Sequence, residues 1–438
     1  MAESIKKILI VGKGAREHSL GWKLNRTGSV KKLYFTEGNA GTAGIGQNID
    51  IAPEDIDRTL NFAVDNKIDL TIASSDRPLA AGIVNAFEET GLKIFGATKE
   101  AAKLEWSKAW AVHFMERHNI PHPETWICYS SDEALKLLQS KTLPTDVVIK
   151  PDGLTDGKGV EIALGMGYEN LAAEKMVIER LTGGKFGVAS RPTLIQERLI
   201  GKEASIFILT DGENFVPMVS AADHKTLNFM SGSPMTGGMG GFSPALEGER
   251  EPGFMEEFNK QIIEPIIKPT IEGMREEGYP YKGVLYVGLM LTKEGPKVLE
   301  YNARFGDPET QLQMRLLDSN LLTPLLACIT GGLNESQIKF HRRNFSAGVV
   351  LATEGYPENP VGGDIIYGLD NIKDRNIVVF HAGTKMDNED ILTTGGRALM
   401  VTAIDKSLGM ARQRLKRIIS EGGIHFRGMQ YRKDLLGQ

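Results

Sequence analysis

Short apolar runs recur through the first part of the chain, each followed by a turn and then by a stretch with helical spacing. Ile8 to Val11 predicts a buried strand that opens into Gly12-Lys13-Gly14, with a helix from about Arg16 to Leu24. Leu33 to Thr36 predicts a second strand, ending in Gly38-Asn39-Ala40-Gly41-Thr42. Leu70 to Ala73 predicts a third, ending in Ser74-Ser75-Asp76-Arg77-Pro78, and Ile94-Phe95-Gly96 a short fourth. Strands alternating with helices imply a parallel doubly wound sheet. Such sheets bind ligands beyond the carboxyl ends of their strands, where the loops after the first three strands lie.

The pattern then changes. A helix is expected from about Trp106 to Asn119, ending before Pro121, followed by an α+β unit from about Thr125 to Thr193. Its landmarks are the strand Val147 to Lys150 and the loop Asp152 to Gly159. Strand-like runs follow at Leu194 to Gln196, Ala204 to Leu209 and Phe215 to Val219, then a glycine-rich loop from Ser231 to Gly241. A helical region (about Phe254 to Glu276) and two strands, Gly283 to Leu291 and Lys297 to Tyr301, complete that unit. After Gly331-Gly332 come short strands and turns, such as Ala347 to Ala352 and Ile377 to Ala382, with one helix at about Leu408 to Ile419. These predict a separate C-terminal domain.

The chain has 438 residues, enough for roughly two to four domains. A net charge of -5 gives no global basic field toward nucleic acid or an acidic membrane, so an anionic substrate needs a local basic site. The late basic run Arg412 to Arg417 reads as a solvated helix face. The two cysteines, Cys128 and Cys328, have no zinc-ligand spacing and fit a reducing, cytoplasmic setting. No signal peptide and no membrane span are expected, because no apolar run approaches ~20 residues.

Gly12-Lys13-Gly14-Ala15-Arg16-Glu17 begins like a dinucleotide fingerprint, but Glu17 replaces the third glycine, which disfavours NAD. Phosphate binding needs only the tight turn and free N–H groups at the helix start, with Arg16 and His18 as added donors. The plain alternative is a strand–helix turn. Lys150-Pro151-Asp152-Gly153-Leu154-Thr155-Asp156-Gly157-Lys158-Gly159 is sharper. Its glycines can turn N–H groups toward phosphate oxygens and its lysines add charge, although Gly159 replaces the Ser/Thr of a Walker A loop. The alternative there is a flexible hairpin. Thr236 to Gly241 is a further glycine loop, weak by itself. Strand alternation puts Glu300 and Asn302 on one face and Tyr301 on the other. A carboxylate beside an amide oxygen suits magnesium, and Arg304 next to them can grip a carboxylate in bidentate fashion. The alternative is a solvated edge strand. Glu203 reads as a surface charge in a turn, and among the histidines only His224, in Asp223-His224-Lys225, has suggestive neighbours.

Taken together, these segments resemble the phosphoribosylamine–glycine ligases, also called glycinamide ribonucleotide synthetases, of the ATP-grasp superfamily. The resemblance runs through essentially the whole chain. It rests on Arg16-Glu17-His18, Gly38 to Thr42, Lys93-Ile94-Phe95-Gly96, Ser107-Lys108, Asp223-His224-Lys225, Thr236 to Gly240, His381 to Thr384, Gly395-Gly396-Arg397 and, most specifically, Arg304 to Gln311. It implies an α/β fold: a Rossmann-like N-terminal domain (1–104), a two-part ATP-grasp module (105–335, with an inserted subdomain at about 124–195) and a small α+β C-terminal domain (336–438). It implies that ATP phosphorylates glycine and that 5-phosphoribosylamine attacks the glycyl phosphate, in de novo purine synthesis. Carried over by position, Lys108, Lys150, Lys158, Gly157 and Gly159 approach the ATP phosphates; Glu197 to Leu199 is the adenine hinge, and Glu203 holds the ribose. Glu300 and Asn302 hold magnesium or manganese, while Asp223, Arg304 and Asp307 contact glycine. Arg16, Glu17, Asn39, Gly41 and Asp76 face the phosphoribosylamine. Only small-molecule partners and a monomer are expected.

Some positions depart from the family pattern. Lys13 stands where asparagine is common, Ser74 to Leu79 replaces a Gly-Pro-Glu-x-Pro-Leu type segment, and Met235 replaces an asparagine. Pro151 and Thr155-Asp156 replace small residues of the phosphate loop. Lys13 can attract the 5-phosphate of the acceptor or pair with Asp76, which is one methylene shorter than the usual glutamate and leaves room for a partner; the pairing is expected, because Arg16 and helix-start N–H groups already suit the phosphate. A divergent ligase with another amine acceptor is the alternative enzyme. A non-catalytic nucleotide-binding or scaffold protein is the third reading, disfavoured by the Glu300/Asn302 pair.

Overall fold

Parallel pairing of apolar strands builds the N-terminal unit of the computed structural model, which describes residues 6–140, 142–144, 146–155, 159–163, 192–230, 232–419 and 422–437. The strand order is Gln47–Ile49, Lys32–Thr36, Lys7–Val11, Leu70–Ala73, Ile94–Phe95, all parallel. Leu9 and Val11 enter one core and Ile8 and Ile10 another, as period two requires of a sheet covered on both faces. Gln47–Ile49 is absent from the sequence expectation, because an edge strand needs no apolar run and two of its residues are polar. The order reverses between Lys7–Val11 and Leu70–Ala73, so the crevice opens past Val11 and Ala73.

The helix expected from Trp106 to Asn119 is two helices, Lys103–Trp106 and Lys108–Arg117. Ser107 breaks them: it is extended and its hydroxyl accepts the Trp110 N–H at 3.3 Å. Asp152 accepts the Ala109 N–H at 2.7 Å, docking the loop after Val147–Pro151 onto this helix start. Two antiparallel sheets follow. One runs Thr125–Cys128, Thr193–Glu197, Val147–Pro151, Glu161–Ala163; the other runs Phe215–Pro217, Lys202–Asp211, Lys282–Thr292, Gly295–Asn302. Glu203, expected in a turn, is the second residue of Lys202–Asp211.

The C-terminal sheet runs Ala222–Asp223, Gly240–Ser243, Phe345–Ala352, Arg397–Asp405, Ile377–His381, all antiparallel. The C-terminal unit is therefore not separate as expected: its sheet takes two strands from before residue 335. A Cβ on Gly241 would stand 1.8 Å from the Ala222 carbonyl oxygen, so glycine is needed for this pairing. The helix Leu408–Ile418 covers the sheet through Ala411 and Leu415.

A buried histidine pair joins the N-terminal unit to this sheet. The His381 N–H donates to His18 Nδ1 at 2.9 Å, and the rings lie 5.7 Å apart. Burial lowers both rings, His18 to about 3, with His381 adding repulsion, and His381 to about 4. Their depressed values stabilise the fold fully above the unfolded value of 6.5, and that contribution is lost as pH falls toward 4 and then 3. Melting experiments should show stability falling between about pH 6.5 and 4.5, before most carboxylates titrate. For His381 the full effect is on the order of 3 kcal/mol. A His18→Gln variant should flatten that slope, and an unchanged slope would rule the pair out as its source.

Candidate active site

A cleft of about 420 Å³ lies between the two antiparallel sheets and reaches the crevice of the N-terminal sheet. Its wall collects residues from distant parts of the chain. Lys150 is the penultimate residue of the strand Val147–Pro151, and Lys108 starts the helix capped by Ser107. Glu300 and Asn302 project from the last strand of the second sheet, while Tyr301 turns into the core and its hydroxyl lies 2.9 Å from Thr270 Oγ1. Glu197, Leu199, Glu203, Asp76, Asp223, Arg304 and Asp307 also line it, with Glu203 close enough to Asp223 to act on its charge.

The charges are interlocked. Lys225 Nζ pairs with Glu300 Oε1 at 2.9 Å. Burial works to raise the Glu300 carboxyl, but Lys225, Lys150 and Lys108 reverse this and hold it at about 2. Burial pushes Lys150 down to about 8 and also lowers Lys108, with Glu300 opposing in both. Lys108 Nζ donates to the Gly153 carbonyl at 2.9 Å, and Lys150 Nζ to that of Leu299 at 3.1 Å. Asp223 is the exception. Its Oδ1 is buried with no hydrogen-bond partner among the described residues, and burial, then Glu309, raises its carboxyl well above the usual range.

Arg304 differs from expectation. Its Nη2 pairs with Glu105 at 3.0 Å and donates to Asn302 Oδ1 at 2.9 Å, leaving Nε buried without a partner among the described residues. The bidentate grip is thus not presented, and Nε is the open donor. Asp307 is likewise engaged: Arg397 Nη2 meets Oδ2 at 2.9 Å and Gln311 Nε2 donates to Oδ1 at 2.7 Å.

Arg16, Glu17, Asn39, Gly41 and Gly159 do not line the cleft. Glu17 accepts the Gly14 N–H at 2.7 Å and the Ser74 hydroxyl at 2.9 Å, so its carboxylate takes the place that a fingerprint loop offers to phosphate. The free helix-start N–H groups expected there are in part already satisfied. Arg16 pairs with Glu17 at 2.7 Å and donates to the Phe305 carbonyl at 3.1 Å and to Ser75 Oγ at 3.2 Å. The Asn39 amide donates to the Lys13 and His381 carbonyls, each at 2.8 Å, and accepts from Gly41 and Thr42 N–H groups. Gly41 packs under His18, where a Cβ would stand 2.2 Å from the ring. Lys13 pairs with Glu37, not with Asp76, which overturns the pairing expected between them. Lys13 is 64% exposed at its side chain, and Glu37 is the nearer acid on the adjoining loop. Gly159 closes its loop against Thr155 and Pro151; Gly157 and Lys158 lie outside the described residues. His224 is absent from the cleft: it faces Phe242, and burial, then Arg432, lowers it to about 4.

Sequence reasoning gave no role to Lys225, Glu105, Glu309 or Arg397. For Lys225 a signal existed, since alternation from Asp223 puts both on the side opposite His224. Glu105 reads as one more polar residue of a helix until Arg304 is placed beside it.

The chain matches the phosphoribosylglycinamide synthetase N domain over residues 6–105, the ATP-grasp (A) domain over 106–310 and the C domain over 346–437. It belongs to the phosphoribosylglycinamide synthetase family. It is 42% identical to a phosphoribosylamine–glycine ligase of Vibrio parahaemolyticus over 98% of this chain and 97% of that one. Among solved structures it is similar to a phosphoribosylamine–glycine ligase of Thermotoga maritima, with 30% identity and a TM-score of 0.79, covering 98% of this chain and 99% of that one. A biotin carboxylase domain from Hydrogenobacter thermophilus, solved with MgADP, shares the fold at 15% identity and a TM-score of 0.70, over 98% and 92% of the two chains. The Rossmann-like, ATP-grasp and C-terminal organisation is that of the family. No described helix is long and apolar enough to cross a membrane.

Proposed function

We propose that the chain ligates glycine to 5-phospho-D-ribosylamine, forming glycinamide ribonucleotide, ADP and phosphate through a glycyl phosphate. The observation that carries this is the convergence of Lys108, Lys150 and Lys225 on ionised Glu300, in the same cleft as Asp223, whose Oδ1 has no hydrogen-bond partner among the described residues. A free carboxylate has no leaving group that an amine can displace, so the acid must first take a phosphoryl group. Glu197, Leu199 and Glu203 hold the nucleoside end of ATP. Lys108 and Lys150 meet its phosphates, and the family likeness assigns Gly157, Lys158 and Gly159 to the same phosphates. Asp223 takes the glycine ammonium, and Arg304 Nε takes its carboxylate.

The residues also fit a divalent metal. Glu300 is ionised, Asn302 adds an amide oxygen on the same strand face, and an all-oxygen pair suits magnesium or manganese. Glu300 and Asn302 would hold such a metal, which would take further oxygen ligands from the phosphates. When bound, the metal neutralises charge on the transferring phosphoryl group. Lys225, on Glu300 Oε1, would add a further positive charge beside the transferring phosphoryl group. At the acceptor end, Asp76 lies in the cleft and Arg16 behind it, where phosphoribosylamine approaches. The same reading places the reaction in the cytoplasm.

The test is ADP release with glycine and each candidate amine in turn. Release should need glycine and phosphoribosylamine together. Full turnover with a different amine, and none with phosphoribosylamine, would overturn the assigned acceptor.

A further inference from the structure

Arg397 opens the strand Arg397–Asp405 directly after Gly395 and Gly396, whose φ angles of 105° and 72° turn the chain so that its side chain crosses toward the cleft. Its Nη1 donates to the Gly237 carbonyl at 2.6 Å and to the Asp307 carbonyl at 3.0 Å, and Nη2 meets Asp307 Oδ2 at 2.9 Å. A second residue of the C-terminal unit joins it: the Tyr356 hydroxyl accepts the Gly237 N–H at 3.0 Å. One guanidinium therefore ties together two backbone segments, 236–238 and 306–308. Both of them flank Asp223. Gly238, at φ +112°, lies so close to Asp223 that a Cβ would stand 2.8 and 3.0 Å from its two carboxylate oxygens, and 2.5 Å from Pro308 Cδ. The wall beside Asp223 is thus bare backbone, and its position is set from the C-terminal unit.

We propose that Arg397 is a positioning residue that sets the amino-acid subsite, holding Gly237 and Gly238 against Asp223 so that the space left admits an amino acid without a side chain. This rests on the reading of Asp223 as the partner of the glycine ammonium. A planar fork that serves two carbonyls and a carboxylate at once cannot be reproduced by a lysine, which keeps only the charge beside Asp307. The segment then relaxes while the ATP end, built from other sheets, does not.

The experiment compares wild type, Arg397→Lys and Tyr356→Phe for KM of glycine, KM of ATP, kcat/KM with alanine in place of glycine, and melting temperature. Arg397→Lys should raise the glycine KM about tenfold, leave the ATP KM within about twofold, and narrow the preference for glycine over alanine. Tyr356→Phe removes the hydroxyl that accepts the Gly237 N–H and should shift the glycine KM the same way by less. If both KM values rise together with a lowered melting temperature, or if the glycine KM and the glycine-to-alanine ratio stay put, the positioning role is wrong. A wild type whose ADP release ignores glycine fails at the first measurement, overturning the functional reading and this proposal with it.

Discussion

Glu300→Gln folds and binds nucleotide but loses glycine-dependent ATP turnover by about 10²–10³-fold, the scale of removing one preorganised charge contact at a transferring group. The substitution keeps the shape and one acceptor oxygen for Lys225. It removes the only formal negative charge on the strand face shared with Asn302, and it leaves Lys108, Lys150 and Lys225 facing one another without it. Steady-state ADP release at saturating magnesium checks this. Near-wild-type turnover would take Glu300 out of the phosphoryl-transfer machinery.

Asp223→Asn carries two effects of opposite sign. The glycine KM should rise by roughly 30- to 100-fold, since a buried charged hydrogen bond to the ammonium is worth about 2–3 kcal/mol. The unliganded protein should become more stable, because Asp223 Oδ1 is buried without a hydrogen-bond partner among the described residues and Glu309 lies near it. The Asp223 carboxyl is raised well above its unfolded value of 3.8, so its penalty to the fold grows as pH rises from 3.8 toward the folded value and levels off above it. The gain in melting temperature from Asp223→Asn should therefore be larger at pH 8 than at pH 5. An unchanged glycine KM, or a variant less stable at pH 8, would remove Asp223 from this role.

What the sequence made legible followed the strength of the local signal. Ile8 to Val11 and Leu70 to Ala73 are apolar runs, as strands buried on both faces must be, whereas Gln47–Ile49 has no such run and was invisible. Period two was enough to pair Glu300 with Asn302 and to send Tyr301 inward. Long-range pairing was not legible. Nothing local to Gly240–Ser243 says that it meets Phe345–Ala352, and nothing local to Arg397 says that it meets Asp307. The N-terminal crevice shows the same limit from the other side. Glu17 was visible as a missing glycine, but its carboxylate fills the turn that was read as open to phosphate. Lys13 and Asp76 were placed correctly beyond adjacent strands, yet Glu37 on a neighbouring loop takes the lysine.

The sheet that joins Gly240–Ser243 to Phe345–Ala352 also orders events during synthesis. A nascent chain can complete its N-terminal sheet early, since its strands pair within the residues already made. The wall beside Asp223 comes later. Its strand Gly240–Ser243 waits for Phe345–Ala352, and its Gly237 waits for Arg397, so this side of the cleft is the last to be fixed as the chain is made.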